Sequence, residues 1–112
     1  MQSQGIAAEF LVHSNEEQDH ADQLAARIVQ LGGEPDFSPA TLVQRSHAEY
    51  DASTDLKSMI RANLVAERIA IEAYTQMIML IGDKDSTTRR ILEGILAQEQ
   101  EHADELKDWL VD

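Results

Sequence analysis

The sequence predicts an all-α protein, built as a bundle of three long helices. Residues 4–31, 54–81 and 85–110 are each rich in Ala, Leu, Ile, Glu and Gln, which favour helices. Both prolines lie between the first two segments, and no strand-like alternation of apolar and polar residues occurs. At 112 residues the chain is expected to form a single domain over residues 1–112.

The first helix is expected to end at Gly32, because glycine readily adopts the left-handed conformation that terminates helices. The connector after it, residues 33–53, is long for a helical bundle. In extended form it can span a helix of roughly 40 Å. We therefore predict a long crossover that starts the second helix at the same end as the first, with a short helix at 40–47.

The second helix is predicted to begin with Ser53 or Thr54 as its N-cap, and the third with Asp85 or Ser86. The link around Gly82 is short. Short links in bundles join antiparallel neighbours, so helices two and three are expected to pack side by side in opposite directions.

The amino-acid composition of the chain argues against several classes of function. The net charge of −12, from 21 acidic and 9 basic residues, disfavours binding to nucleic acid or anionic membranes. The chain has no cysteine, so disulfides and thiolate metal sites are excluded. It has neither an apolar run of about 20 residues nor signal-peptide features at its start, so we expect a soluble cytoplasmic protein.

Titratable residues interrupt the apolar stripe of every predicted helix near its midpoint. The stripes, read at steps of three and four residues, are Ile6, Phe10, His13, Glu17, His20, Leu24, Ile28 and Leu31; Leu56, Ile60, Asn63, Glu67, Ile71, Tyr74, Ile78 and Ile81; and Ile91, Ile95, Glu99, His102, Leu106 and Trp109. Burying unpaired charges costs several kcal/mol each. Since Lys and Arg are absent from the stripes, we expect a metal cation, and carboxylate with imidazole suits iron.

The spacing of these residues indicates a paired metal site. Glu17-x-x-His20 and Glu99-x-x-His102 each place a carboxylate and an imidazole one helical turn apart on one face. If helices one and three are antiparallel, each histidine can hold one metal while the two glutamates reach between the metals. Glu67 then adds a terminal carboxylate to the metal on His102. A solvated polar seam between helices is the alternative interpretation.

This combination resembles the ferritin-like superfamily, in which paired Glu-x-x-His motifs and further glutamates bind two irons. The segments that carry the resemblance to bacterioferritins and Dps-like ferritins are 17–22 with 27–35, 64–70 and 95–102. They are similar to the second, third and fourth helices of that four-helix bundle. The resemblance implies a ferritin-like bundle with a non-haem di-iron site at Glu17, His20, Glu67, Glu99 and His102.

Two departures from the family pattern follow. The family's first helix, with one more terminal glutamate, has no counterpart, so we expect an incomplete bundle in which the metal on His20 lacks a carboxylate. Glu9 cannot replace it, because eight helical residues separate it from Glu17 by about 12 Å. Gln18 stands where bacterioferritins carry the haem-ligating methionine, so no haem is expected.

The resemblance implies ferroxidase activity with iron storage or detoxification, although the spacing alone indicates only a paired metal site. With one helix absent, the exposed apolar groove predicts a homo-oligomer, at least a dimer. The alternatives are a self-associating helical interaction module with a vestigial or incomplete metal site, and a rubrerythrin-type di-iron peroxidase. No second metal domain supports the peroxidase.

Four further residues are weaker candidates for a functional role. His13 lies on the stripe without a glutamate at metal-binding spacing, so we interpret it as a core or interface histidine. Tyr74 is interpreted as a core residue, or as one that hydrogen-bonds a ligand or passes an electron. His47 and Glu49 are less favoured candidates for an iron entry or secondary site.

Overall fold

The protein is described by a computed structural model over residues 3–36 and 55–110. Three helices occupy these ranges: α1 is Ser3–Gln30, α2 is Leu56–Ile81 and α3 is Ser86–Trp109. The predicted helices are confirmed to within two residues at each end, and the described ranges contain no strand. The predicted short helix at 40–47, with His47 and Glu49, lies outside the described residues.

The chain divides into two compact units, of which one contains α1 and the other contains α2 and α3. Within α1 the buried side chains are Ile6, His13 and His20, which recur every seven residues and so lie along one side of the helix. The opposite side carries a polar pair four residues apart, in which Gln18 Nε2 donates to Asp22 Oδ1 at 3.1 Å.

The end of α1 is confirmed at Gly32, which has a φ of +88°. The backbone N–H of Gly33 donates to the Ile28 carbonyl at 2.9 Å and closes the last turn. Leu31, which the predicted stripe places inward, is instead 60% exposed. It lies in the turn that ends the helix, so helical periodicity no longer sets the direction of its side chain.

Two aspartates cap the other helices. Asp85 begins α3 as predicted, and its carboxylate accepts from the Thr88 backbone N–H at 3.1 Å. The predicted cap of α2 at Ser53 or Thr54 is wrong, because Asp55 is the N-cap and accepts from the Ser58 N–H at 3.1 Å. A carboxylate three residues before a free N–H satisfies a donor that the first turn leaves open.

Helices α2 and α3 pack against each other as an antiparallel hairpin, joined by a turn at Gly82, where φ is +53°. Arg89 holds this turn by donating to the Gly82 carbonyl at 3.1 Å and pairing with Asp83 at 3.3 Å. The buried apolar side chains of the hairpin are Ile60, Leu64, Leu92, Ile95 and Leu106.

One position on the predicted α2 stripe is wrong. Asn63 is exposed, and its Nδ2 donates to the Met59 carbonyl at 2.9 Å, whereas the next residue, Leu64, is buried. Burying the leucine removes apolar surface from water, while the amide keeps its hydrogen bonds at the surface. No described helix has an apolar stretch long enough to cross a bilayer.

Candidate metal centre

Three of the predicted ligands come together on the α2–α3 hairpin. Glu67 extends from α2, and Glu99 and His102 extend from α3. Each offers one ligand atom, and these atoms lie within 4.8 Å of one another. The Nδ1 atom of His102 lies 3.8 Å from the Oε1 atom of Glu67. We call these three residues the hairpin cluster.

The local sequence explains why the cluster forms. Glu99 and His102 are three residues apart, so they share one face of α3. Glu67 and Glu99 lie on either side of the connecting turn at Gly82, each between about four and five helical turns from it. Two antiparallel helices joined there bring residues at similar distances from the turn to similar levels.

The hairpin cluster is almost closed to solvent. Glu99 is 2% exposed and His102 is 1% exposed, while the Glu67 side chain is 13% exposed. The Oε1 atom of Glu99 and the Nδ1 atom of His102 are inaccessible to water. Two carboxylates this close in a dry site repel each other, and each loses hydration. A cation between them relieves both costs.

The second Glu-x-x-His pair lies within α1. The Nδ1 atom of His20 is 3.8 Å from the Oε1 atom of Glu17, so the expected one-turn geometry is present. The His20 side chain is only 3% exposed, whereas that of Glu17 is 47% exposed. This pair therefore combines a buried imidazole with a carboxylate that water reaches.

The donor set of the hairpin cluster fits iron. One imidazole with two carboxylates suits divalent iron, manganese, cobalt and zinc. Such metals hold nitrogen and oxygen ligands at about 2.0–2.2 Å, so two ligands on opposite sides of an ion are about 4.2 Å apart. The separation of 3.8 Å between His102 and Glu67 is compatible with binding to one ion.

Other residues considered from the sequence lie outside this cluster. His13 is buried on α1 at 6% exposure. A carboxylate oxygen of Glu9, on the same helix, lies within 4.8 Å of a ring nitrogen of His13, so the prediction that no glutamate stands at metal-binding spacing from His13 is wrong. Tyr74 is half-buried on α2. All three members of the hairpin cluster had been identified from the sequence.

The whole chain, residues 1–112, matches the family model of the ferritin-like domain. The chain belongs to the ferritin-like family. The ferritin-like fold expected from the helices and the Glu-x-x-His motifs is thereby confirmed.

Two relatives illustrate this membership. The chain is 31% identical to a bacterioferritin of Desulfovibrio desulfuricans over 101 residues, which are 87% of this chain and 51% of the relative. It thus spans about half the length of that relative. It is also similar to the solved structure of a dodecameric thioferritin, the bacterioferritin-related protein of Bacteroides fragilis. That match has a TM-score of 0.93 and 34% identity, and covers 100% of this chain and 68% of the other.

Proposed function

We propose that this ferritin-like chain is a non-haem di-iron carboxylate protein that oxidises ferrous iron, for storage or detoxification. The observation that carries the proposal is the hairpin cluster, in which Glu67, Glu99 and His102 lie within 4.8 Å of one another in a site shielded from water. Membership of the ferritin-like family supports iron as the metal.

The proposal assigns a role to each ligand. Glu67 and His102 would hold one iron, and His20 would hold a second. Glu17 and Glu99 would be the carboxylates that both ions use, as their equivalent places in the two Glu-x-x-His motifs suggest. Iron supplies the one-electron redox chemistry when it is bound, with dioxygen or peroxide as oxidant.

The chain's own groups explain why ferrous iron would bind here. The two carboxylates of the hairpin cluster attract a cation, and low exposure strengthens that attraction because little water screens it. The imidazole of His102 coordinates in its neutral form through a ring nitrogen. Carboxylates also tolerate the higher charge of the ferric product, which helps the site accommodate both oxidation states.

Iron counting tests the proposal directly. The protein is purified from iron-supplemented cells, bound iron per chain is measured, and ferrous oxidation is followed by absorbance. About two irons per chain with rapid turnover is the expected result for a di-iron centre. Glu101→Gln is the matched control, because Glu101 is an exposed glutamate of the same helix. A wild-type protein without iron or oxidation would refute the proposal.

We also infer that the chain forms a homo-oligomer, at least a dimer. Large apolar side chains are exposed on both units, including Leu11 at 63%, Met79 at 76% and Leu80 at 78%. Exposed apolar surface of this kind favours association. The similar thioferritin of Bacteroides fragilis is dodecameric. Light scattering after size-exclusion chromatography measures the assembly, and a monomer at micromolar concentration would contradict the inference.

The non-catalytic alternative is distinguished by the same measurements. A self-associating module with an incomplete metal site would give a stable oligomer without bound iron. The absence of haem stays a prediction based on Gln18. The visible spectrum of the purified protein tests it, since bound haem would add an intense Soret band.

A further inference from the structure

We propose that Glu9 and His13 of α1, with Glu105 of α3, bind a further divalent transition-metal ion outside the proposed di-iron centre. We call these three residues the third-ion site. None of them is among the ligands assigned to the di-iron centre. The inference rests on the proposed function for the alignment of α1 with α3, and it adds a separate site of one imidazole and two carboxylates.

The α1 part of the third-ion site is a carboxylate and an imidazole one helical turn apart. A carboxylate oxygen of Glu9 and a ring nitrogen of His13 lie within 4.8 Å of each other. Their spacing of four residues places both side chains on one face of the helix. His13 is buried, whereas Glu9 is not. The pair therefore joins a nitrogen donor fixed in the protein interior to a carboxylate that water can reach.

This pair is distant from the di-iron ligands of the same helix. His13 precedes His20 by seven residues, which correspond to about 10 Å along the helix axis. Side chains on one side of a helix leave it in similar directions, so the two imidazoles stay well apart. Metal–nitrogen bonds are only about 2.0–2.1 Å long. Two separate ions, and not one shared ion, therefore suit the two histidines.

Glu105 supplies the second carboxylate. A centre shared by the two Glu-x-x-His motifs requires α1 and α3 to be antiparallel, so residues before the α1 motif are level with residues after the α3 motif. His13 is about 8 Å before the midpoint of its motif, and Glu105 is about 7 Å after the midpoint of the other. Glu105 also stands three residues after His102, on the same face of α3. The alignment that the di-iron centre needs therefore places these two donors at one level.

The donor set suits a divalent ion of the first transition series. Imidazole with carboxylates binds divalent iron, manganese, cobalt and zinc. Two carboxylates balance the charge of one such ion, which offsets part of their dehydration cost. Three protein ligands leave a coordination position for water. An ion held in this way exchanges with solvent, so purified protein keeps the two irons of the centre and gains the further ion only in an equilibrium titration.

A cobalt titration tests the third-ion site, because imidazole with carboxylates accepts Co²⁺ and its visible absorption reports coordination. The full-length protein is titrated with Co²⁺ alone, and absorbance and calorimetry are recorded. The wild-type protein should bind about three equivalents per chain, of which two belong to the di-iron centre. His13→Gln should bind one equivalent fewer, and it should still take up two irons and oxidise ferrous iron rapidly.

Glu9→Gln and Glu105→Gln serve as second variants, because neither side chain is fully buried and each change disturbs packing less than a change at His13. Each should weaken the third equivalent by at least about 10-fold, since even the loss of an outer-sphere partner weakens metal binding ~10–100-fold. Asp19→Asn is the matched control, because Asp19 is an exposed carboxylate of α1. Circular dichroism checks that all variants are folded.

Three outcomes would overturn the third-ion site. They are a wild type that binds only two equivalents, a third equivalent that is unchanged in all three ligand variants, and loss of ferrous oxidation in folded His13→Gln. His20→Gln separates this site from the di-iron centre, since it should lose an ion of the centre and keep the one that depends on His13. Wild-type protein that neither takes up nor oxidises iron would overturn the proposed function itself.

Discussion

The Nδ1 atom of His102 lies 3.8 Å from the Oε1 atom of Glu67, although the two residues belong to different helices. His20 and Glu17 show the same separation between the same atoms within one helix. The two contacts have different origins. The α1 contact follows from helical geometry alone, whereas the contact across the hairpin exists only because α2 and α3 pack together.

Glu99→Ala should abolish paired metal binding. Glu99 is buried in the hairpin cluster and is the carboxylate that we assign to both ions, so its loss affects each of them. Iron per chain should fall from about two to at most about one, with loss of rapid ferrous oxidation. Unchanged iron content, together with normal activity, would refute the assigned role. Glu101→Gln should behave as wild type.

Glu67→Ala should mainly weaken the ion on His102 and leave part of the binding capacity. Glu67 is assigned as a terminal ligand of one ion only, so the effect should be smaller than that of Glu99→Ala. Equilibrium iron titrations of both variants measure the difference. Glu72→Gln is the control on the same helix, because that glutamate is exposed. Equal losses in the Glu67 and Glu99 variants would contradict the distinction between terminal and shared ligands.

Ile95→Ala should destabilise the protein by about 2–5 kcal/mol, the range for removing large buried aliphatic side chains. Ile95 is 1% exposed in the hairpin core. Chemical denaturation followed by circular dichroism measures the free energy of unfolding, at one protein concentration because oligomers unfold in a concentration-dependent way. Thr87→Ala, at an exposed position of the same helix, should change stability by no more than about 0.5 kcal/mol.

Asp85→Ala should lower stability by about 1 kcal/mol, because α3 loses its N-cap. In the wild type, the Asp85 carboxylate accepts a hydrogen bond from the Thr88 backbone N–H. Asp85→Ser should restore most of the loss, since serine is also a good N-cap. Asp83→Ala removes only an exposed ion pair with Arg89 and should cost less than the cap. Thermal unfolding ranks the three variants, and a cost for Asp83→Ala equal to that of Asp85→Ala would contradict the capping role.

The N-cap of α2 should make stability depend on pH in the acid range. Hydrogen bonds from the Ser58 hydroxyl and backbone N–H hold the pKa of Asp55 below its usual value of 3.8. A lowered pKa in the folded state means that the stabilisation is fully present above pH 3.8 and is lost as the pH falls through the folded pKa.

Asp55→Asn is the appropriate comparison, because asparagine can cap the helix but does not titrate. The stability difference between wild type and variant should be constant above about pH 5 and should shrink towards lower pH. Denaturation curves at successive pH values measure it. A difference that grows on acidification would contradict the assignment of Asp55 as an ionised cap.

Much of the local structure could be predicted from the sequence. Helix bounds, the cap at Asp85 and the left-handed end at Gly32 depend on neighbouring residues only, and the structure confirms them. The N-cap of α2 was predicted at Ser53 or Thr54 instead of Asp55, because several good caps follow one another there. Serine, threonine and aspartate have similar preferences for the N-cap position, so the sequence does not distinguish between them.

The sequence by itself determined which residue types stand one helical turn apart, as in Glu17–His20, since the spacing of a helix needs no partner. Only the tertiary structure decided that Leu64 is buried while Asn63 is exposed, and that Glu67 reaches His102. Which side of a helix becomes the interior depends on the surface packed against it. That choice minimises the exposed apolar area of two helices together, which neither helix encodes alone.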